Sequence, residues 1–275
     1  MAMTGVLRPG HAQIRVVQLD AAVNFYRDVL GLGETGRDSV GRVYFKAWDE
    51  RDHNSVVLRQ ADGPGIDHFA FKVRDPETLD RLERDLHDWG TPCEHIPEGE
   101  MLSTGKRLRF ETPSGDLIEL YAEKEATPYP GQLQNPRPWT DAAEHGIAPF
   151  GWITACSMVR APLWLSCSIK AHDLALVEHT EPGTVHHVSF LLESWEKILR
   201  AGDIMSMNKV PVEIGPTRHG ITRGMTIYGF DPSGNRFETF CGGLQSYPDQ
   251  APIAWTLEEM PSGLDYPSAN CTRPF

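Results

Sequence analysis

The chain reads as an α+β protein assembled from four strand-helix-strands modules, two to each half, and three observations predict this. The segment FETPSGDLIELYAE, from Phe110, resembles GFDPSGNRFETFCG, from Gly229, and pairs Pro113 with Pro232 at an offset of 232 − 113 = 119. The same offset pairs GIDHFAF (Gly65 to Phe71) with TVHHVSF (Thr184 to Phe190). The spacing from His to Glu is therefore 119 − 68 = 51 in one half and 238 − 187 = 51 in the other. Alignable segments at one offset, joined by an equal spacing, mark tandem duplication of a domain.

Each element follows from its pattern. HFAFKV and HHVSFLL alternate as half-buried strands do. DPETLDRLERDLHDWG then places Leu79, Leu82 and Leu86 at helical spacing with Gly90 as a stop, and ESWEKILRAGDIM is its counterpart. Pro-Ser-Gly marks a tight turn before the last strand of each repeat. An earlier module starts at GHAQIRV, continues with a helix near DAAVNFYRDVLGLG and ends in strands around GRVYFKAW and NSVVLRQ. The proline-rich run from Thr127 to Trp139 is the expected linker. This divides the chain into an N-terminal domain over 1–126, a linker over 127–146 and a C-terminal domain over 147–275.

Composition narrows the partners. A length of 275 residues, 40% apolar and 23% charged, supports one large or two ordinary globular domains. The net charge of −12, with no basic run, argues against nucleic acid or an anionic membrane surface, both of which need clustered Lys and Arg. A small ligand remains. The opening MAMTGVLRPGH has neither the apolar core of a signal peptide nor a membrane span, so the expectation is a cytoplasmic protein. Five scattered cysteines, Cys93, Cys156, Cys167, Cys241 and Cys271, without a C-x-x-C pair, suggest ordinary thiols. Gly31 to Gly36 fits G-x-G-x-x-G but follows a helix instead of joining a strand to one, so a dinucleotide site is not expected.

The duplicated histidines and glutamates carry the chemistry. His187 and Glu238, each on an expected strand, suit a set of imidazoles and one carboxylate that holds a metal on one face and leaves the other open to reactants. Pattern alone favours the plainer reading, a histidine that satisfies a core strand and a glutamate on a solvated face. In the first half, His11, His68 and Glu119 occupy the equivalent positions.

KAHD, HHVSF, IGPTRHGITRGMTIYGFDPSGNRFETFCGG and YPD resemble the C-terminal catalytic half of the catechol 2,3-dioxygenases. RPGH, GRVYFKAW, RLERDL and PSGDLIELYAEKE resemble the N-terminal half, so the likeness covers nearly the whole chain. It implies the vicinal oxygen chelate fold of tandem βαβββ modules, extradiol cleavage of catechol by dioxygen at a non-heme Fe(II), and a homotetramer. It implies His187 and Glu238 as metal ligands, a metal-free first half, contacts from His172 and His219 to dioxygen and substrate, and a hydrogen bond from Tyr228 to a substrate oxygen. An imidazole and a phenol suit a reaction in which catechol gives up a proton and bound oxygen needs a donor. Arg223 stands where some relatives carry a further histidine.

One part of the resemblance fails. The first ligand of the family is a His after an Asp at the start of the third module, and no Asp-His pair occurs between residues 140 and 170. GWITACSMV stands there instead. Reassembling codons one base out of frame turns Trp152 into Ile153 to Asp, Ile153 into Thr154 to His, Asn or Tyr, and Met158 into Val159 to Gly, which matches the missing strand. We read residues from about 151 to 165 as out of frame, and the tail SANCTRPF in the same way. Residues are missing as well. His11 to His68 spans 68 − 11 = 57, whereas Thr154 to His187 spans 187 − 154 = 33, so 57 − 33 = 24 residues are lost, enough for a helix and a strand. The third module is then truncated, and its His187-bearing neighbour is expected to show an unpaired edge. His145, nine residues before Thr154 (154 − 145 = 9), is the one nearby imidazole, in a segment that reads as linker. The other reading is an inactive relic or ligand-binding member of the same fold.

Overall fold

A computed structural model of the chain describes residues 5–127, 145–159, 163–178, 185–247, 249 and 251–266, and of residues 152–159 and 178 the backbone alone. Most of the expected linker and the whole of SANCTRPF lie outside the described residues. The first module runs β1 (Val6–Val16), α1 (Leu19–Asn24) extended by a π turn over Phe25–Val29, β2 (Gly33–Arg37), β3 (Val43–Lys46) and β4 (Val56–Gln60). The second runs β5 (Gly65–Val73), α2 (Pro76–Asp88), β6 (Cys93–Ile96), β7 (Arg107–Glu111) and β8 (Leu117–Tyr121). They join into one sheet of order β2-β3-β4-β1-β5-β8-β7-β6.

The second half repeats this plan with a gap. It contains β9 (Gly151–Val159), β10 (Leu163–Leu165), β11 (Leu174–Glu178), β12 (Val185–Leu191), α3 (Trp195–Met207), β13 (Val212–Arg218), β14 (Gly224–Phe230), β15 (Arg236–Gly242) and α4 (Met260–Leu264). Its sheet order, β10-β11-β9-β12-β15-β14-β13, matches the first, with no counterpart of β2 among the described residues. Among the described residues no helix lies between β9 and β10, where α1 has its counterpart in the other half. The deficit read from spacing therefore falls on one helix and one strand.

Local chemistry explains the elements that both halves keep. Asp75 caps α2 by accepting a hydrogen bond from the Thr78 N–H at 2.8 Å, with Pro76 at the first helical position. Ser194 caps α3 in the same way through Lys197. The Pro-Ser-Gly turns place Gly115 and Gly234 at φ +87° and +93°, a conformation that a side chain strains. Gly33 opens β2 instead of a helix, so the glycine motif is structural.

The expected unpaired edge on the His187 module is not found. β9 pairs antiparallel with β12 and parallel with β11, so β12 has neighbours on both sides. The reason is compositional: Ile, Thr, Cys and Val in ITACSMV favour extended backbone whatever frame produced them, so pairing survives where side-chain identity does not. The open edge moves outward to β10, a three-residue strand with Leu163 50% and Leu165 43% exposed.

One hydrophobic core spans both halves, including Phe25, Ile147, Val188 and Phe237. Phe25, from the π turn of the first half, meets Phe237 of β15 edge-to-face with ring centroids 5.5 Å apart. Tyr26 donates to Asp231 at 3.3 Å, and Asn235 bonds the Arg15 carbonyl at 2.9 Å and the Gly65 N–H at 2.7 Å. The helix of one half thus helps to close the core of the other.

Candidate functional site

The parallel pairing of β12 with β15 and the antiparallel pairing of β14 with β15 bring His187, Glu238 and Tyr228 together. His187 Nε2 lies 3.2 Å from Glu238 Oε2. His219, just past β13, lies 3.5 Å from Glu238 Oε1 and 2.9 Å from the Tyr228 hydroxyl. His172, in the loop entering β11, joins these four around one cavity of about 330 Å³, whose other walls include Ile169 and Phe240. The volume is at the small end for ligand pockets, which suits a single aromatic ring. All five residues singled out in the sequence therefore face one space.

Electrostatics differentiates the group. Burial pushes the Glu238 carboxyl upward, but hydrogen bonds and charge from His187 and His219 overcome this and hold it well below the usual carboxylate range. Ser189 and Thr226 donate to its two oxygens, each at 2.5 Å, and so fix its orientation. Burial lowers His172 to about 4, leaving it neutral, and lowers His187 despite the opposing pull of Glu238. For His219, burial is outweighed by Glu238, and its pKa rises. The Nδ1 of His219 faces the Leu264 carbonyl, so that nitrogen carries the hydrogen and Nε2 becomes the acceptor toward Tyr228. The Arg236 guanidinium sits 4.0 Å over the Tyr228 ring.

The position of the third ligand is identifiable from register. In the first sheet His11 pairs with Ala70; in the second Thr154 pairs with Ser189, and 189 − 70 = 119. Thr154 thus occupies the station of His11. His145 does not substitute for it, because it lies beside Gly31 and Asp28 of the first half and is absent from the cavity wall. Two imidazoles flank Glu238, but His219 faces its other oxygen and is engaged with Leu264 and Tyr228, and among the described residues these three groups do not converge as His11, His68 and Glu119 do. That leaves His187 and Glu238 as two donors where such a site needs three protein ligands. The residues present do not make a complete metal site.

The first half presents the reverse case. His11, His68 and Glu119 are all buried and offer three donor atoms to one point. Arg107 and Arg109 both pair with Glu119 at 2.7 Å, and Lys124 lies 3.1 Å from His11 Nδ1. Burial lowers His68 to about 4, against the opposing charge of Glu119. The folded pKa lies below the unfolded value near 6.5, so this stability is full above pH 6.5 and is lost as pH falls toward 4. The penalty is on the order of 3 kcal/mol. Urea midpoints measured from pH 7 to 4 should therefore fall steeply, and His68→Asn should flatten that slope; an unchanged slope would contradict the assignment.

Sequence reasoning missed Ser189, Thr226 and Arg236. The repeat offset held a signal for the second of these, since 226 − 119 = 107 and 228 − 119 = 109 set Thr226 and Tyr228 against two arginines.

Paired half-sheets with His and Glu side chains converging inside them define the vicinal oxygen chelate class. Residues 66–125 match the model of the catechol 2,3-dioxygenase-like N-terminal domain, and residues 126–239 that of the glyoxalase/bleomycin resistance protein/dioxygenase superfamily. Metapyrocatechase of Pseudomonas sp. (strain CF600) is 46% identical over 95% of this chain and 94% of its own length. That alignment runs to 290 positions against the 275 residues here, so the relative carries residues this chain lacks. A manganese-dependent 2,3-dihydroxybiphenyl 1,2-dioxygenase of Geobacillus genomosp. 3 is 29% identical over 93% of this chain and 91% of its own. The crystal structure of the 2,3-dioxygenase LapB from Pseudomonas sp. KL28 superposes with a TM-score of 0.87 at 54% identity, covering 94% of this chain and all of that one. The chain belongs to the metapyrocatechase, or catechol 2,3-dioxygenase, family of extradiol dioxygenases. Membership of that family points to a metal cofactor. No helix among the described residues is long and apolar enough to cross a membrane.

Proposed function

We propose that the cavity between β11, β12 and β15 is the site of extradiol cleavage of catechol by dioxygen, giving 2-hydroxymuconate semialdehyde, and that this chain performs it poorly. The observation that carries this is the convergence of His172, His219 and Tyr228 on one small cavity beside the His187–Glu238 pair. Fe(II) is the metal that this mixed donor set suits, and with Thr154 at the first ligand station it is held weakly. Other substituted catechols fit the same chemistry. The family likeness supports a homotetramer acting in the cytoplasm.

The chain's own residues divide the proton work. His219 Nε2 is the acceptor on its ring, and its raised pKa lets it hold a proton taken from a catechol hydroxyl near neutral pH. Once His219 Nε2 carries that proton it donates to the Tyr228 oxygen 2.9 Å away, which frees the Tyr228 hydroxyl hydrogen to donate to the substrate oxygen. His172, neutral and partly buried, offers a hydrogen bond to the second reactant without adding charge. The apolar walls exclude water from the ring. In a chain carrying Thr154→His, Tyr228→Phe should keep its iron and slow turnover by about a hundredfold. Loss of iron from that variant would move Tyr228 from proton chemistry to metal support.

A second reading, a relic that binds ligand without iron, is favoured by Thr154 alone. Adding catechol and Fe(II) under air separates the two, because ring cleavage gives a yellow product. A Thr154→His chain that folds, holds iron and still yields no colour would leave only the relic.

A further inference from the structure

The triad His11, His68 and Glu119 has the geometry of a metal site and the charge of a closed one. His11 Nε2 and His68 Nε2 lie 3.2 Å apart, and Glu119 Oε2 lies 3.8 and 3.4 Å from them. A point equidistant from the three atoms falls about 2.0 Å from each, the length of a metal–nitrogen bond. Thus the donors are already at bonding separation, and none of the three side chains is more than 3% exposed.

The positive charge at that point comes from the protein. Arg107, 1% exposed, brings Nε to 2.7 Å from Glu119 Oε2, and neither atom has a hydrogen-bond partner among the described residues. The contact is thus one of charge without the alignment of a bond. Arg109 holds the other oxygen at 2.7 and 3.0 Å. In the second half, the ladder stations of Arg107 and Arg109 hold the neutral Thr226 and Tyr228. On the side turned to the triad one carboxylate meets two guanidinium groups, whose outer ends pair with Glu100 and Glu94, and this local excess of positive charge repels a further dication. A polar cavity of about 480 Å³, lined by His68, Asp67, Asp116 and Arg109, leads toward the triad from outside.

We propose that Arg107 stands in for a divalent cation at a complete His11–His68–Glu119 site, so that the first half holds a latent site for a dication of borderline softness which loss of this one charge opens. The two halves then fail to hold metal for opposite reasons: the second lacks a ligand, the first carries a competing cation.

The test uses the full chain with Glu238→Ala, which removes the other site, and Co²⁺ alone as probe, read by equilibrium binding and by its visible absorption. Arg107→Met keeps bulk and removes charge, and Arg107→Thr copies the residue that the second half accommodates there. Either should take up one Co²⁺ at least tenfold more tightly than the parent, and His11→Ala should abolish the gain. Arg107→Lys, which retains the charge, should stay at the parent level. The proposal is overturned if the folded Met and Thr variants bind no tighter than the parent, or if the parent already binds Co²⁺ through His11. Failure of both to fold, judged by circular dichroism, would make Arg107 a structural residue and overturn it equally.

Discussion

Thr154→His is expected to raise catechol turnover with supplied Fe(II) by at least about a hundredfold, the upper end of what the loss of a mere outer-sphere partner costs a metal site. The expectation rests on register. Thr154 pairs with Ser189 as His11 pairs with Ala70, so a histidine there enters a strand already hydrogen-bonded on both sides. Around it, Ser189 and Thr226 already orient Glu238, and His187 already lies 3.2 Å from that carboxylate. One side chain separates this arrangement from a triad. Adding Glu238→Ala to the same chain should return turnover to background, measured as formation of the yellow product. Persisting activity would remove Glu238 from the ligands.

The second large effect concerns the damaged module. Limited proteolysis should cut first between Thr140 and Ser168 and leave an N-terminal fragment protected, because the first half has all its strands and both its helices. β10 is short, its Leu163 and Leu165 are exposed, and among the described residues nothing pairs with its outer edge. Such an edge recruits other chains. Leu165→Lys should accordingly reduce aggregation, followed by light scattering on warming. If the segment resists protease as well as the first half does, the shortened module has a packed structure of its own and the account of its weakness fails.

How far the sequence disclosed the molecule differs from element to element. The duplicated strands were legible from apolar period and the positive-φ glycines of their Pro-Ser-Gly turns, α2 from apolar period, the Asp75 cap and Gly90, and α3 from apolar period and the Ser194 cap. The five cavity residues were legible through the family likeness, since a histidine on a strand has no pattern of its own that separates ligand from core. β2 was not legible: GETGR lacks apolar alternation and is set only by pairing with β3. Nor was the survival of β9, because backbone pairing depends on extended propensity, which a shifted frame can preserve by accident. The shared core was hidden as well. Phe25 and Phe237 are 237 − 25 = 212 residues apart, and nothing local to either announces their contact.

The most direct test is the iron content of the unaltered chain after anaerobic loading with Fe(II) and desalting, set beside that of Thr154→His. Two donors at one site and a guanidinium at the other predict iron well below one per chain in the unaltered protein and close to one in the variant. Stoichiometric iron in the unaltered protein would contradict the claim that the chain has the architecture of an extradiol dioxygenase but lacks a ligand its metal requires.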